Sequence, residues 1–370
     1  MSDKQLYIGL ISGTSIDSID CALVDCSGKL PELVSSLGGT IDKQLRNDLL
    51  GICRGEDISL ALLGKADKQL GLLFGETCNR LLDHADVNWG DIQAIGSHGQ
   101  TVWHQASGDF PFSMQLGDPS QIAHTTGIPV VADFRQKDMS AGGQGAPLAP
   151  LLHREFFASE NENRAVVNIG GMSNVTLLPA RGEPSAWDTG PGNVLLDYWV
   201  EKHRGVPFDD AGHWARSGTP DDRLLADLLT EPYLSQPGPK STGRELFNGN
   251  WLETKLAAIP SGITPQDVQA TLVEYTACTI ADSINNASMV EAAYLCGGGT
   301  HNTYLAERLA ALLPNKRVAS TRELGLDPDW VEAVTFGWLA MKTLKGEAVD
   351  TTPFTGAKQP VVLGGIYPSS

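Results

Sequence analysis

Three glycine-rich segments offer main-chain amides that no side chain shields: Gly13-Thr14-Ser15, Gly170-Gly171-Met172-Ser173-Asn174 and Gly297-Gly298-Gly299. Unobstructed backbone is what phosphate oxygens and a nucleoside need at close range. None of the three is a Walker loop or a GxGxxG fingerprint, and one such turn alone reads as an ordinary tight turn. Three of them, each at the end of a predicted strand, weigh more than one. Asp188 sits in Asp188-Thr189-Gly190-Pro191-Gly192-Asn193. It reads equally as a general base beside a glycine-rich turn and as a cap for the helix after Asn193. Arg135 follows a predicted strand, where it either forks onto a carboxylate or pairs with Asp133 or Asp138. Glu332 falls in the first turns of a predicted helix, where an acid also suits the macrodipole. His98 and His104 are not at the three- or four-residue spacing that puts both on one helical face, and no third ligand accompanies them. Loop hydrogen bonding, rather than a metal site, is the expected role.

The elements that must hold these groups follow from periodicity. Residues 6–11 and 19–24 predict a hairpin whose tip is Ser12-Gly13-Thr14-Ser15. Residues 58–84 carry Leu60, Leu63, Leu70, Leu73 and Leu81 at helical spacing, predicting one long amphipathic helix. A buried strand at 94–96 leads to a polar loop, Ser97-His98-Gly99-Gln100-Thr101. Asp118-Pro119 opens a short helix that Gly127 closes. A strand at 129–134 enters the loop 140–145. Strands at 165–169 and 175–178 flank Gly170–Asn174 and repeat the first hairpin half a chain later, a sign of a duplicated α/β domain. Thr264-Pro265 starts a long helix to about Ser288. A strand at 292–296 then turns at Gly297-Gly298-Gly299 into a helix after Asn302, and the final long helix follows Asp327-Pro328.

With 370 residues, 41% of them hydrophobic, the chain buries a real core and has the length of two domains or two lobes around a cleft. The predicted lobes are 1–135, with the first hairpin, and 136–370, with the second hairpin and the third glycine turn; the last helix is allowed to pack back on the first lobe. A net charge of -17 without a basic run argues against nucleic acid and anionic membrane surfaces as partners. Six cysteines without a CxxC pair suit a reducing compartment. The first residues lack a signal-peptide pattern and no run is long enough to span a bilayer, so a cytoplasmic protein is expected.

The segment from Gly9 to Asp20, Gly-Leu-Ile-Ser-Gly-Thr-Ser-Ile-Asp-Ser-Ile-Asp, resembles the opening signature of the anhydro-N-acetylmuramic acid kinases. Five further segments agree in order: Gly96–Thr101; Gly117-Asp118-Pro119 with Val131-Ala132-Asp133-Phe134-Arg135; Asn168–Asn174; Asp188–Asn193; and Cys296–Asn302. The resemblance implies a two-lobed sugar kinase/Hsp70/actin fold closing on ATP. It also implies a cytoplasmic enzyme of cell-wall recycling, often a homodimer. The implied reaction uses ATP and water to convert 1,6-anhydro-N-acetylmuramic acid to N-acetylmuramic acid 6-phosphate and ADP.

By position, the resemblance assigns Gly13, Thr14, Ser15, Ile16, Asp17, Ser18, Ile19 and Asp20 to a first phosphate loop. Gly170, Gly171, Ser173 and Asn174 form the second, and Gly297, Gly298 and Gly299 lie against the nucleoside. Ser18 stands where the family usually has glycine. One carboxylate suffices if the γ-phosphoryl group traps the departing O6, and that tips Asp188 from cap to base. Arg135 is the candidate for the lactyl carboxylate, with Glu332, His98 and Gln100 as further sugar-binding candidates. Magnesium accompanies ATP, with no residue assigned to it. The competing readings are an ordinary amino-sugar or hexose kinase and a non-catalytic, ATP-switched actin-like module.

Overall fold

The computed structural model describes residues 4–13, 16, 18–259, 262–287 and 289–369. The first six strands are β1 (Leu6–Ser12), β2 (Ser18–Asp25), β3 (Glu32–Thr40), β4 (Ile92–Gln105), β5 (Phe112–Leu116) and β6 (Val130–Ala132). They are followed by β7 (Arg164–Ile169), β8 (Met172–Leu178), β9 (Ser185–Pro191), β10 (Ala292–Cys296), β11 (Arg317–Ser320) and β12 (Gly365–Tyr367). The chain divides into two compact units, residues 1–156 with 330–370, and residues 157–329.

The first unit holds the sheet β12-β6-β4-β1-β2-β3, with β5 paired to the far end of β4; the second holds β11-β10-β7-β8-β9. In both, a central strand pairs antiparallel with the next in sequence, which pairs antiparallel with the third. On its other side the central strand pairs parallel with a fourth, and that with a fifth. The duplicated α/β domain expected from the two hairpins is therefore present as one five-strand topology built twice, the arrangement of the sugar kinase/Hsp70/actin fold. Every residue of β1 is buried, as a central strand covered on both faces requires.

In the first unit the core gathers Ile8, Leu10, Ile19, Leu23, Phe74 and Leu81. The long helix runs Leu60–Ala85, with Ser59 capping it through Leu62 N–H, and its buried stripe is Leu70, Phe74, Cys78 and Leu81. Leu60 itself is exposed. In the second unit Val167, Ile169, Tyr275, Ile280 and Leu305 pack together. The Pro265–Asn286 helix crosses that core, with the Thr264 hydroxyl accepting Asp267 N–H. Ser288, where the sequence reading ended this helix, lies outside the described residues.

The helix Val331–Leu344 belongs to the first unit and lies on β1 and β4 at unusually close range. A Cβ on Gly9 would sit 1.7 Å from Ala333 O, and one on Gly96 would sit 2.0 Å from Phe336 O. Only glycine lets the strand and helix backbones meet this way.

Several expectations require correction. The boundary between units falls at 156/157 rather than 135/136, because residues 138–145 are tied to the C-terminal segment of the first unit. Thr355 Oγ1 donates to Asp138, Gln144 N–H to Thr355 O, and Lys358 N–H to Ala141 O. The segment Ser97–Thr101 is not a loop: it continues β4, pairing with β1 on one side and β5 on the other, and the Ser97, His98 and Gln100 side chains are buried. The strand at 129–134 ends at Ala132, and Phe134 and Arg135 open a helix, Phe134–Ser140, entered through Asp133 at φ 62°.

Candidate active site

In the first unit, Gly13 follows β1, and among the described residues, its chain neighbours aside, no atom lies within 4 Å of where a Cβ would stand on it, which leaves room for a ligand. Ile16 donates its N–H to Gly13 O and takes φ 55°, a left-handed conformation that a β-branched residue resists. Strain of this kind costs on the order of 1–3 kcal/mol and persists where surrounding packing enforces it; the Ile16 side chain is fully buried in the core. Ile19 is buried likewise, so both isoleucines can serve a phosphate only through their main chain. Ser18, Ile19 and Asp20 begin β2, and Ser18 has no positive φ that would demand the family's usual glycine. Thr14, Ser15 and Asp17 lie outside the described residues.

Beside this tip, β1 and β4 bring Ser12 opposite Gln100 and Leu10 opposite Ser97. Ser12 Oγ, Ser97 Oγ and Gln100 Oε1 are all buried with no hydrogen-bond partner among the described residues. Buried polar atoms without partners are costly in a folded chain, and a cluster of them suits a polar ligand that completes them.

His98 and Arg135 meet. Arg135 Nε donates to His98 Nε2 at 2.8 Å, and Arg135 Nη1 donates to Gly145 O at 2.8 Å. Asp138, the ion-pair alternative for Arg135, accepts Gly145 N–H and the Thr355 hydroxyl, while Asp133 accepts the Tyr367 hydroxyl. Glu332 is half-buried in the first turn of its helix, as expected. Among the described residues no three His, Cys, Asp or Glu side chains cluster as a metal site.

The buried imidazoles make acid stability a test of this packing. Burial, and then the charge of Arg135, pushes His104 down to about 4, and burial pushes His153 down to about 3. Below pH 6.5 the unfolded chain takes up protons that these folded rings refuse. Stability is therefore complete above about pH 6.5 and falls toward pH 4, by on the order of 1.4 kcal/mol per pH unit for each ring. Urea unfolding at pH 7.5, 6 and 5 should show the midpoint dropping. His104→Asn, which keeps a partner for Ser113 Oγ, should flatten the slope by one proton; an unchanged slope would mean that His104 titrates normally.

In the second unit the turn between β7 and β8 is clasped by the segment that follows β9. Asn193 N–H donates to Gly170 O, and Gly192 and Val194 N–H donate to Gly171 O. Ser173 is fully buried, its hydroxyl accepting that of Thr189 at 3.0 Å, so it braces β8 against β9. Asn174 Oδ1 is buried without a partner. Gly297, at φ 82°, packs against Asn168 and Ile169, and Gly299 packs against the Ile169 side chain, so the third glycine turn abuts the second hairpin. Gly298 faces open space. The Asn302 side chain then caps the helix Thr303–Leu312 through Leu305 N–H.

Asp188 lies inside β9, not at a helix end, so its cap reading is overturned. Asn193 occupies the cap position of Val194–Arg204, without a side-chain capping bond. Asp188 as a residue is 8% exposed, and its Oδ2 accepts Thr242 N–H at 2.9 Å. Its backbone N–H donates to Lys240 O, and its carbonyl accepts the Tyr233 hydroxyl at 2.8 Å. Lys240 is buried as well, donating to the carbonyls of Tyr233 and Leu234 and lying over the Tyr233 ring. Burial lowers the Lys240 pKa, while the negative charge of Asp188 raises it. The sequence reading missed Tyr233, Lys240 and Thr242. Gly238-Pro239, just before Lys240 and Thr242, has the composition of a plain loop, and a buried lysine leaves no periodic mark.

A family model described as anhydro-N-acetylmuramic acid kinase matches residues 5–369. The anhydro-N-acetylmuramic acid kinase of Coxiella burnetii (strain RSA 493 / Nine Mile phase I) is 47% identical over 98% of each chain. That of Pasteurella multocida (strain Pm70) is 47% identical over 98% of this chain and 96% of its own. Among solved structures, a ROK family glucokinase from Streptomyces griseus in complex with glucose and AMPPNP is similar at TM-score 0.40 and 15% identity, over 91% of this chain and 99% of that one. With glycine turns, a strand-borne aspartate and a His98–Arg135 pair all inside the matched span, the chain belongs to the anhydro-N-acetylmuramic acid kinase family.

Proposed function

We propose that the protein uses ATP and water to open the 1,6-anhydro ring of 1,6-anhydro-N-acetylmuramic acid and to phosphorylate O6, releasing ADP. The observation that carries this reading is a single family match over residues 5–369, which takes in every candidate site segment. The same match does not favour an ordinary amino-sugar or hexose kinase, or a non-catalytic ATP-driven switch.

Asp188 is the proposed general base. Its carboxylate takes a proton from water as the water oxygen bonds to the anomeric carbon and the bond from that carbon to O6 breaks. The departing O6 takes the γ-phosphoryl group as the bond to the β-phosphate oxygen breaks. The Thr242 amide fixes one oxygen of the base, which holds it in one orientation toward the water. Gly13–Asp20 and Gly170–Asn174 are the proposed phosphate-binding turns and Gly297–Gly299 the nucleoside turn, supported by the open backbone at Gly13 and Gly298. Arg135 is proposed to fork onto the lactyl carboxylate, with Gln100 and Glu332 toward the sugar. Magnesium would enter with ATP, carried on phosphate oxygens and water, and when bound it neutralises phosphate charge.

The six cysteines are free thiols, and no described helix is long and apolar enough to cross a membrane. Free thiols suit a reducing compartment, and a cytoplasmic place in peptidoglycan recycling is proposed from the family resemblance. A homodimer is proposed from the family resemblance alone.

The test is product mass after brief turnover in heavy-oxygen water, with borohydride reduction at the quench to stop exchange at the anomeric carbon. One solvent oxygen per product is expected. Product without it, beside an exchange control on authentic sugar phosphate, would replace this reading with ordinary phosphorylation of a hydroxyl.

A further inference from the structure

We infer that His98 is the positioning residue for Arg135: held as the neutral Nδ1–H tautomer, it fixes the guanidinium plane and thereby sets the enzyme's preference for sugars that carry the lactyl group. The inference rests on the reading that Arg135 grips the lactyl carboxylate.

The geometry admits one protonation state. An arginine side chain only donates, so the 2.8 Å contact from Arg135 Nε requires a lone pair on His98 Nε2. The ring proton is then on Nδ1, and Nδ1 lies 2.9 Å from Gly99 O, which only accepts. Both contacts demand the same tautomer. The ring is held from the side as well, 4.7 Å from the Phe336 ring, which is itself 5.5 Å from Phe134. Burial and the Arg135 charge push the His98 pKa well below its usual value, which keeps the acceptor available at neutral pH.

The second arm of the fork is equally supported. Arg135 Nη1 donates to Gly145 O, Gly145 N–H donates to Asp138, and Asp138 accepts the Thr355 hydroxyl. At least two of the five arginine N–H groups are thus given to fixed protein acceptors. An arginine anchored at two points presents its fork in one plane, and its discrimination for a planar carboxylate depends on that plane. His98 accordingly acts through Arg135, rather than by touching the sugar with Nε2.

The experiment compares kcat/KM for 1,6-anhydro-N-acetylmuramic acid with that for 1,6-anhydro-N-acetylglucosamine, the same bicyclic sugar without the lactyl ether. His98→Leu removes the acceptor, and the ratio between the two sugars should fall at least tenfold. His98→Gln places an amide oxygen near Nε2 and should recover most of the ratio. Arg135→Ala reports on the underlying reading. If it lowers the ratio while His98→Leu does not, the inference is overturned and the role of Arg135 stands; if Arg135→Ala leaves the ratio unchanged, that role itself fails. Nitrogen-15 spectra of imidazole-labelled wild-type enzyme need no variant to fold. They should show His98 neutral with the proton on Nδ1 at pH 7, and an Nε2–H or doubly protonated ring would overturn the inference.

Discussion

Asp188→Asn should lower turnover by roughly two to four powers of ten, the usual range for losing a general base, while ATP and sugar still bind. The substitution changes no volume, and an amide oxygen can still accept Thr242 N–H where the carboxylate now does. The backbone bonds to Lys240 O and from the Tyr233 hydroxyl do not involve the side chain. What disappears is the ability to take a proton from water, together with the negative charge that raises the Lys240 pKa. Steady-state rates with calorimetric ATP and sugar binding separate these effects. Turnover like wild type would assign the base elsewhere, and loss of binding together with turnover would make Asp188 a structural strut.

Gly96→Val should be among the most damaging changes in the first unit, costing about 3–5 kcal/mol or leaving no soluble protein. Its Cβ would stand 2.0 Å from Phe336 O and 3.0 Å from Ala340 Cβ, so the obstacle is mainly helix backbone, which no rotamer change can clear. Gly9→Val meets the same helix at Ala333 O. Gly64→Ala is the matched control: it lies on the exposed side of Leu60–Ala85 with nothing near its added methyl. There the better helix propensity of alanine should leave stability unchanged or raise it by up to about 1 kcal/mol. Thermal melting of the three variants checks the set, and a Gly96→Val melt close to wild type would show that the Val331–Leu344 helix can shift at little cost.

The hairpins, the long helices and their caps were legible because local chemistry decides them. Asp118, Thr264 and Asn302 each cap the helix that follows by a side-chain bond; Ser59 does so as well, although periodicity placed it inside the helix over 58–84. Phosphate-type turns were legible for the same reason: glycine at a strand end is a local signal. Ser97–Thr101 was misread because five polar or glycine residues in a row look like solvent-exposed loop. The strand survives because β1 and β5 take its backbone bonds from both sides. Arg135 was placed after a strand instead of on a helix because the change of direction is made by Asp133 in a left-handed conformation, which its side chain does not announce. The surroundings of Asp188 were out of reach for a different reason. Thr242 and Lys240 touch it across more than fifty residues of sequence, through main-chain atoms that carry no residue identity.

The first unit is assembled from both ends of the chain, residues 330–370 completing what residues 1–156 begin. During synthesis the whole second unit is polymerised before the helix that covers Gly9 and Gly96. The second unit can finish folding as a unit while the sheet of the first still waits for its cover. Until that helix emerges and docks, the face of β1 and β4 that it later covers stays open to water. That interval is when a nascent chain of this architecture is most exposed to aggregation and offers most to a chaperone, and it closes only when the helix is in place.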